Sequence, residues 1–275
     1  MTPIHVTAAG FDADGVRLTS PAAAGFDSWI DALGDPRYAQ TLKDAKRSIV
    51  IVSNESARKI VALSTVFSVT GGRRGGRNSV FFVAPDAIAD EDIAYGRSSE
   101  RGIPPGRQKM IGFNFAVPCR GDLQQALPED RAREEEEFAF YFPQVCNWIE
   151  SVAEELSSAR QIHITLDAVI FDDGLMLGED CSGLGPHFAA LVQARQDAYR
   201  MVLQRIEEGQ QPGDAVKACL RPDRTERPDR FDREWLVSNE AKHTVAALLR
   251  HYGRAQLPDI LRRALLPQPF TIRRG

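Results

Sequence analysis

The chain reads as an α+β fold, a two-sheet β-sandwich with a helical insertion followed by a C-terminal α-helical region. Three observations predict it. Residues 161–180 (QIHITLDAVIFDDGLMLGED) form a strand, a tight turn and a second strand; strand-like runs recur at short spacing through 46–117; and the apolar period turns helical after Gly185.

The first run, 49–52, is short and wholly apolar, and SNESARK at 53–59 reads as a polar turn. In 60–69, Val61, Leu63, Thr65, Phe67 and Val69 alternate with Ala62, Ser64 and Ser68, so the two runs are expected to form a hairpin with one core face. Two more strands are predicted at 79–84 (SVFFVA) and 109–117 (KMIGFNFAV), the second placing Ile111, Phe113, Phe115 and Val117 on one side. The polar stretch 85–106, ending in IPPG, is a long surface loop.

Residues 129–158 interrupt the strands. Pro143 suits a first helical position, and Val145, Trp148, Ile149, Val152 and Leu156 make a stripe at helical spacing, which predicts a helix crossing back over a sheet. The FAFYF segment before it fits either helix or strand. Glu134 to Glu137 read as a solvated face.

In 161–171, Ile162, Ile164, Leu166, Ala168 and Ile170 alternate with His163, Thr165, Asp167, Val169 and Phe171, the period of a strand with one apolar face. Asp172-Asp173-Gly174 supplies the turn. Beyond it, Phe188, Leu191, Val192, Tyr199, Val202, Leu203 and Ile206 line one helix with Gly209 as its stop. Trp235, Ala241, Val245, Leu248, Leu249 and Tyr252 line another before Gly253, and 258–266 forms a last short helix. The organisation is therefore an N-terminal strand and helix over 1–45, a sandwich domain over 46–184 and a helical region over 185–275.

At 275 residues and 30.5 kDa, with 43% hydrophobic and 26% charged residues, the composition is that of a globular chain with a sizeable core. A formal charge of −4 and a pI near 5.8 give no long-range attraction for a phosphate backbone, so nucleic-acid binding would rest on a local patch. The N-terminus shows no basic segment followed by an apolar core, and no apolar run approaches the ~18 residues of a membrane span. A cytoplasmic protein is expected. Cys119, Cys146, Cys181 and Cys219 never form CxxC, which fits reduced thiols better than a disulfide framework or a zinc site.

Candidate chemistry is sparse. His163 and Asp167 share a strand face, but four residues along a strand span roughly 13 Å, too far for one catalytic pair or one metal. Asp172, Asp173, Glu179 and Asp180 lack the calcium-loop pattern and read as turn and rim acids. His243 and His251, eight apart on one helix, cannot share a metal. Cys181 with His187 would make a thiol and base pair with no third orienting group in view. No metal or cofactor is called for.

Two arginine-rich stretches stand out. GGRRGGRN at 71–78 clusters Arg73, Arg74 and Arg77 among glycines that let backbone approach a phosphate, but it lacks the GxxxxGK[ST] order and reads as an exposed loop between strands. In RPDRTERPDRFDRE, Arg221, Arg224, Arg227, Arg230 and Arg233 recur every third residue, with Asp223, Glu226, Asp229 and Asp232 at the same period. An extended docking ribbon and a self-neutralising linker both fit, the linker better.

The strand pair SIVIVSNESARKIVALSTVFSV, followed by LDAVIFDDG with Gly178 and Asp180, resembles a pattern in uncharacterised bacterial proteins with an immunoglobulin-like sandwich. The resemblance spans 46–180 and implies that fold; it carries no activity and no site residue. The expected role is a non-catalytic binding or assembly module acting through loops and surface arginines, with another protein or a second copy as partner. Two alternatives stand beside it. One is a hydrolase using Asp167, Asp172 or Asp173 with His163 or His187, metal-dependent or not; the other is polyanion binding by Arg73, Arg74 and Arg77.

Overall fold

The computed structural model describes residues 5–9, 15–71, 75–88, 102–113, 117, 128–220, 233–267 and 269–275. Within them the chain is α+β: two sheets around one apolar core, and a helical layer with a second core. No helix among the described residues is long and apolar enough to cross a membrane.

In chain order the elements are β1 (His5–Ala9), β2 (Val16–Thr19), α1 (Phe26–Leu33), α2 (Ala39–Asp44), β3 (Ile49–Asn54), β4 (Ile60–Thr70), β5 (Gly76–Val83), β6 (Arg107–Gly112) and α3 (Pro128–Ser157). There follow β7 (Gln161–Phe171), β8 (Leu175–Gly178), α4 (Leu184–Glu207), α5 (Pro212–Leu220), α6 (Arg233–Ala264) and β9 (Arg273–Arg274).

One sheet runs β5-β4-β7-β8-β9, and the edge of β7 that β8 occupies near its end is taken by β1 at its start. The other is β2-β3-β6, antiparallel throughout. The larger sheet is mixed, since β1 pairs with β7 in parallel and β9 with β8 in parallel, whereas both sheets of an immunoglobulin domain are antiparallel.

The hairpin expected of 49–52 and 60–69 does not form. β3 pairs with β2 and β6, β4 with β5 and β7, and the link between them carries the chain from one sheet to the other. Both strands are buried on both faces; β3 accordingly reads as an apolar run, and in β4 Ser64 and Thr65 are buried with the apolar residues around them. Asn54 fixes the crossing: its amide donates to the carbonyls of Arg58 and Ile103, each at 2.7 Å, and its side-chain oxygen accepts from Ser56 N–H and hydroxyl.

The β7–β8 hairpin forms as read, with Ala168, Val169 and Ile170 opposite Gly178, Leu177 and Met176. The alternation in β7 does not persist along the strand. Pairing with β4 passes from Thr65 and Leu166 to Ser64 and Ala168, leaving Asp167 as a bulge. Beyond it Val169 stands opposite Leu63 and Ile170 opposite Ala62, so the face each parity occupies is exchanged.

The strand expected at 109–117 begins and ends earlier, as β6; 114–116 lie outside the described residues, as do 89–101 of the predicted surface loop. Pro143 is not a first helical position, because α3 begins at Pro128 and carries Pro143 in its interior. Cys146, Ile149, Val152 and Leu156 form its buried stripe, while Trp148, one step round the helix, is 55% exposed. The predicted stop at Gly253 is found: α6 is two helical segments joined where Gly253 takes a non-helical φ 76° and ψ 174°, and the second segment begins before Pro258, the predicted start of the last helix. The predicted arginine ribbon lies outside the described residues up to 232, and Arg233 opens α6.

Helix α4 belongs to both cores. Leu184, Phe188 and Val192 pack with the sheets, and Ala198, Tyr199, Val202 and Leu203 pack with α5 and α6. Beyond the end of α6, 269–275 lies on the sheet and supplies β9.

Candidate functional site

The chemistry-bearing residues concentrate where the bulge of β7 meets the loop leading into α4. Asp167 is 8% exposed. Its Oδ1 accepts the Cys181 N–H at 3.0 Å, and its Oδ2 accepts the Ser182 N–H at 2.9 Å and the Ser64 hydroxyl at 3.1 Å. Burial pushes its carboxyl up, but the Ser182 hydroxyl and N–H, the Cys181 N–H and the Ser64 hydroxyl together outweigh that and hold it below the ordinary carboxylate value. Asp167 is thus an ionised acceptor whose lone pairs point at protein donors.

Asp180, three residues before the cap of α4, adopts φ 56°. This left-handed turn swings its carboxylate under the helix, where it accepts the N–H groups of Leu184 and Gly185. The positive end of α4 is therefore occupied by the chain's own carboxylate. Two aspartates hold the loop between them, one from β7 and one from within it.

Cys181, exposed on this loop, donates its thiol to Glu179 at 3.5 Å. That hydrogen bond, with slight desolvation and the charges of Asp167 and Glu179, raises its pKa above the usual thiol value, and a hydrogen bond from Arg77 works against the rise. The thiol stays protonated at neutral pH, the opposite of an activated nucleophile. The His187 ring stacks on Phe81 at 5.3 Å, while the backbone N–H of His187 donates to the Gly183 carbonyl at 3.3 Å.

The other candidates lie apart from this corner. His163 Nδ1 is hydrogen-bonded to the Thr7 hydroxyl at 2.7 Å, tying β1 to β7. Asp172 donates its N–H to the Lys59 carbonyl, and the Asp173 carboxylate accepts the Leu175 N–H and the Arg58 Nε. Arg77 is the exception: exposed on β5 opposite Ser68, it reaches the Cys181 thiol, whereas Arg73 and Arg74 lie outside the described residues. Among the described residues no three His, Cys, Asp or Glu side chains converge as a metal would require.

No family model, curated protein or solved structure matches the chain. What the corner can do therefore rests on its geometry alone. Ser64, Ser182 and Asp180, which complete it, were not singled out by the sequence as partners of Asp167. Only Asp180 leaves a local trace, an acid ahead of a Gly-Leu-Gly-Pro helix start.

Proposed function

We propose that the protein is a non-catalytic binding or assembly module that works through its surface, with another protein or a second copy as partner. The observation that carries this reading is the use to which its acids and His163 are put. Asp167 holds the 181–182 backbone, Asp180 caps α4, Asp173 closes the β-turn and His163 ties two strands. What faces outward instead is Arg77 on β5 and the large apolar side chains Trp148, Met201 and Leu236 on three helices. Exposed Trp and Arg are the residue types enriched where partners dock.

The immunoglobulin-like likeness belongs to this reading as well, since loops on a rigid sandwich commonly carry binding. It draws on the antiparallel β2–β3–β6 and β5–β4–β7–β8 pairings.

The test is a thermal-shift screen against divalent metals, nucleotides, common metabolites and heparin, run beside sedimentation velocity over a concentration series. A ligand at ~100 times its Kd would stabilise by about 2.7 kcal/mol. Silence from the small molecules with a sedimentation coefficient that rises with concentration is expected. A shift with a metal or metabolite overturns the reading in favour of a carboxylate and histidine hydrolase. A heparin shift lost when Arg73, Arg74 and Arg77 become Ala would assign the loop to polyanions.

A further inference from the structure

The segment after α6 sits on the sheet like a separable strap. Gln196 grips the end of the helix, donating to the Ala264 carbonyl at 2.9 Å and accepting the Leu266 N–H at 2.8 Å. Beyond that clamp the chain passes Pro267 and Pro269 and lies against the edge of β8. The contacts there are few and well defined. Arg273 N–H donates to the Gly174 carbonyl at 2.9 Å, Gly275 N–H to the Met176 carbonyl at 3.0 Å, and the Arg273 guanidinium to the Asp173 carbonyl at 3.1 Å. Phe270 meets Phe188 edge-on at 5.8 Å.

The seat is cut to this segment. A Cβ on Gly174 would stand 2.2 Å from the Thr271 carbonyl oxygen, and one on Gly275 2.9 Å from both Leu175 Cδ1 and Leu177 Cδ2. Phe270 and Ile272 are half-buried against the first core, while Arg273, Arg274 and Gly275 are exposed.

We propose that 269–275 exchanges between two copies of the chain, each strap seating on β8 of the other. The proposal rests on the assembly reading above and names its partner. A second copy is the occupant because the seat is shaped by glycines and carbonyls for this sequence, and an identical strap makes the same ladder, the same Phe270 contact and the same Arg273 bond. Exchange therefore gives up no contact of the closed form, and a short proline-bearing hinge favours it.

Leu175 and Arg273 are paired across β8 and β9, close enough for a disulfide. In a full-length background carrying Cys119→Ser and Cys181→Ser, one chain receives Leu175→Cys and another Arg273→Cys. The two are mixed, incubated or co-refolded, and treated with a mild oxidant. A covalent species of twice the 30.5 kDa chain mass is expected, formed only in the mixture and lost when the Leu175→Cys chain also carries Gly174→Val. No such species in the mixture overturns exchange, whether or not a chain bearing both cysteines closes on itself. A species that survives Gly174→Val reports random collision and overturns it too. Association in sedimentation without the cross-link would leave the assembly reading standing and remove the strap from it.

Discussion

Ser64 and Asp167, 103 residues apart, are joined by a hydrogen bond of 3.1 Å that exists only because β7 bulges at the aspartate. The same carboxylate holds two successive N–H groups of the loop before α4. Replacing Asp167 by Ala would leave three donors without their acceptor, and about 3 kcal/mol of stability should go with it, read as a lower denaturation midpoint. Because the folded carboxyl binds its proton less readily than the unfolded one, its contribution is complete above about pH 4 and fades as pH falls through the lower folded value. The stability gap between wild type and Asp167→Asn should therefore narrow in acid, and urea titrations across pH 2.5 to 6 would show a constant gap if Asp167 were ordinary.

Gly174 takes φ 82° and faces the Thr271 carbonyl across a gap too small for any Cβ. Gly174→Ala should lift the strap from β8, with backbone strain of about 1 to 3 kcal/mol. Hydrogen exchange at the Arg273 and Gly275 amides should accelerate strongly, while amides in β4 and β7 change far less.

The Cys181 thiol is held protonated chiefly by Glu179. Glu179→Gln should speed its reaction with a disulfide reagent at pH 8 by several-fold, roughly as far as the thiol pKa falls. Arg77→Ala should slow it. Equal rates in all three proteins would show that neither neighbour acts on the sulfur.

Pro143 lies exposed inside α3, where a proline removes one helical hydrogen bond. Pro143→Ala should stabilise the protein by up to about 3 kcal/mol, seen as a higher Tm. A lower Tm would mean that the ring packs favourably enough to offset the missing bond.

These residues also show what a sequence can and cannot reveal. The β7–β8 turn was legible because Asp172-Asp173-Gly174 is a local signal and its flanks alternate. The bulge was not, since it is defined by the partner strand and not by β7 itself. The separation of β3 from β4 was hidden for a related reason: the alternation in 60–69 suggested one core face where both faces are buried, and a five-residue polar link looks like a hairpin turn whichever sheet follows. The start of α3 was masked by its glutamate run and Pro143, and the nine residues of α5 were too short to declare a period. At the candidate site the sequence offered Asp167, Cys181 and His187, but Ser64 and Ser182 reach the carboxylate only through tertiary placement.

Helix α4, about 36 Å of rod by its 24 residues, is anchored at one end among strands and at the other among helices. Neither core has its full lining without it. A cut anywhere within 184–207 would expose apolar surface on both sides of the break, so fragments divided there should aggregate when expressed apart. The same sharing makes one calorimetric transition the expected melting behaviour, with heat entering either core felt in the other through a common axle.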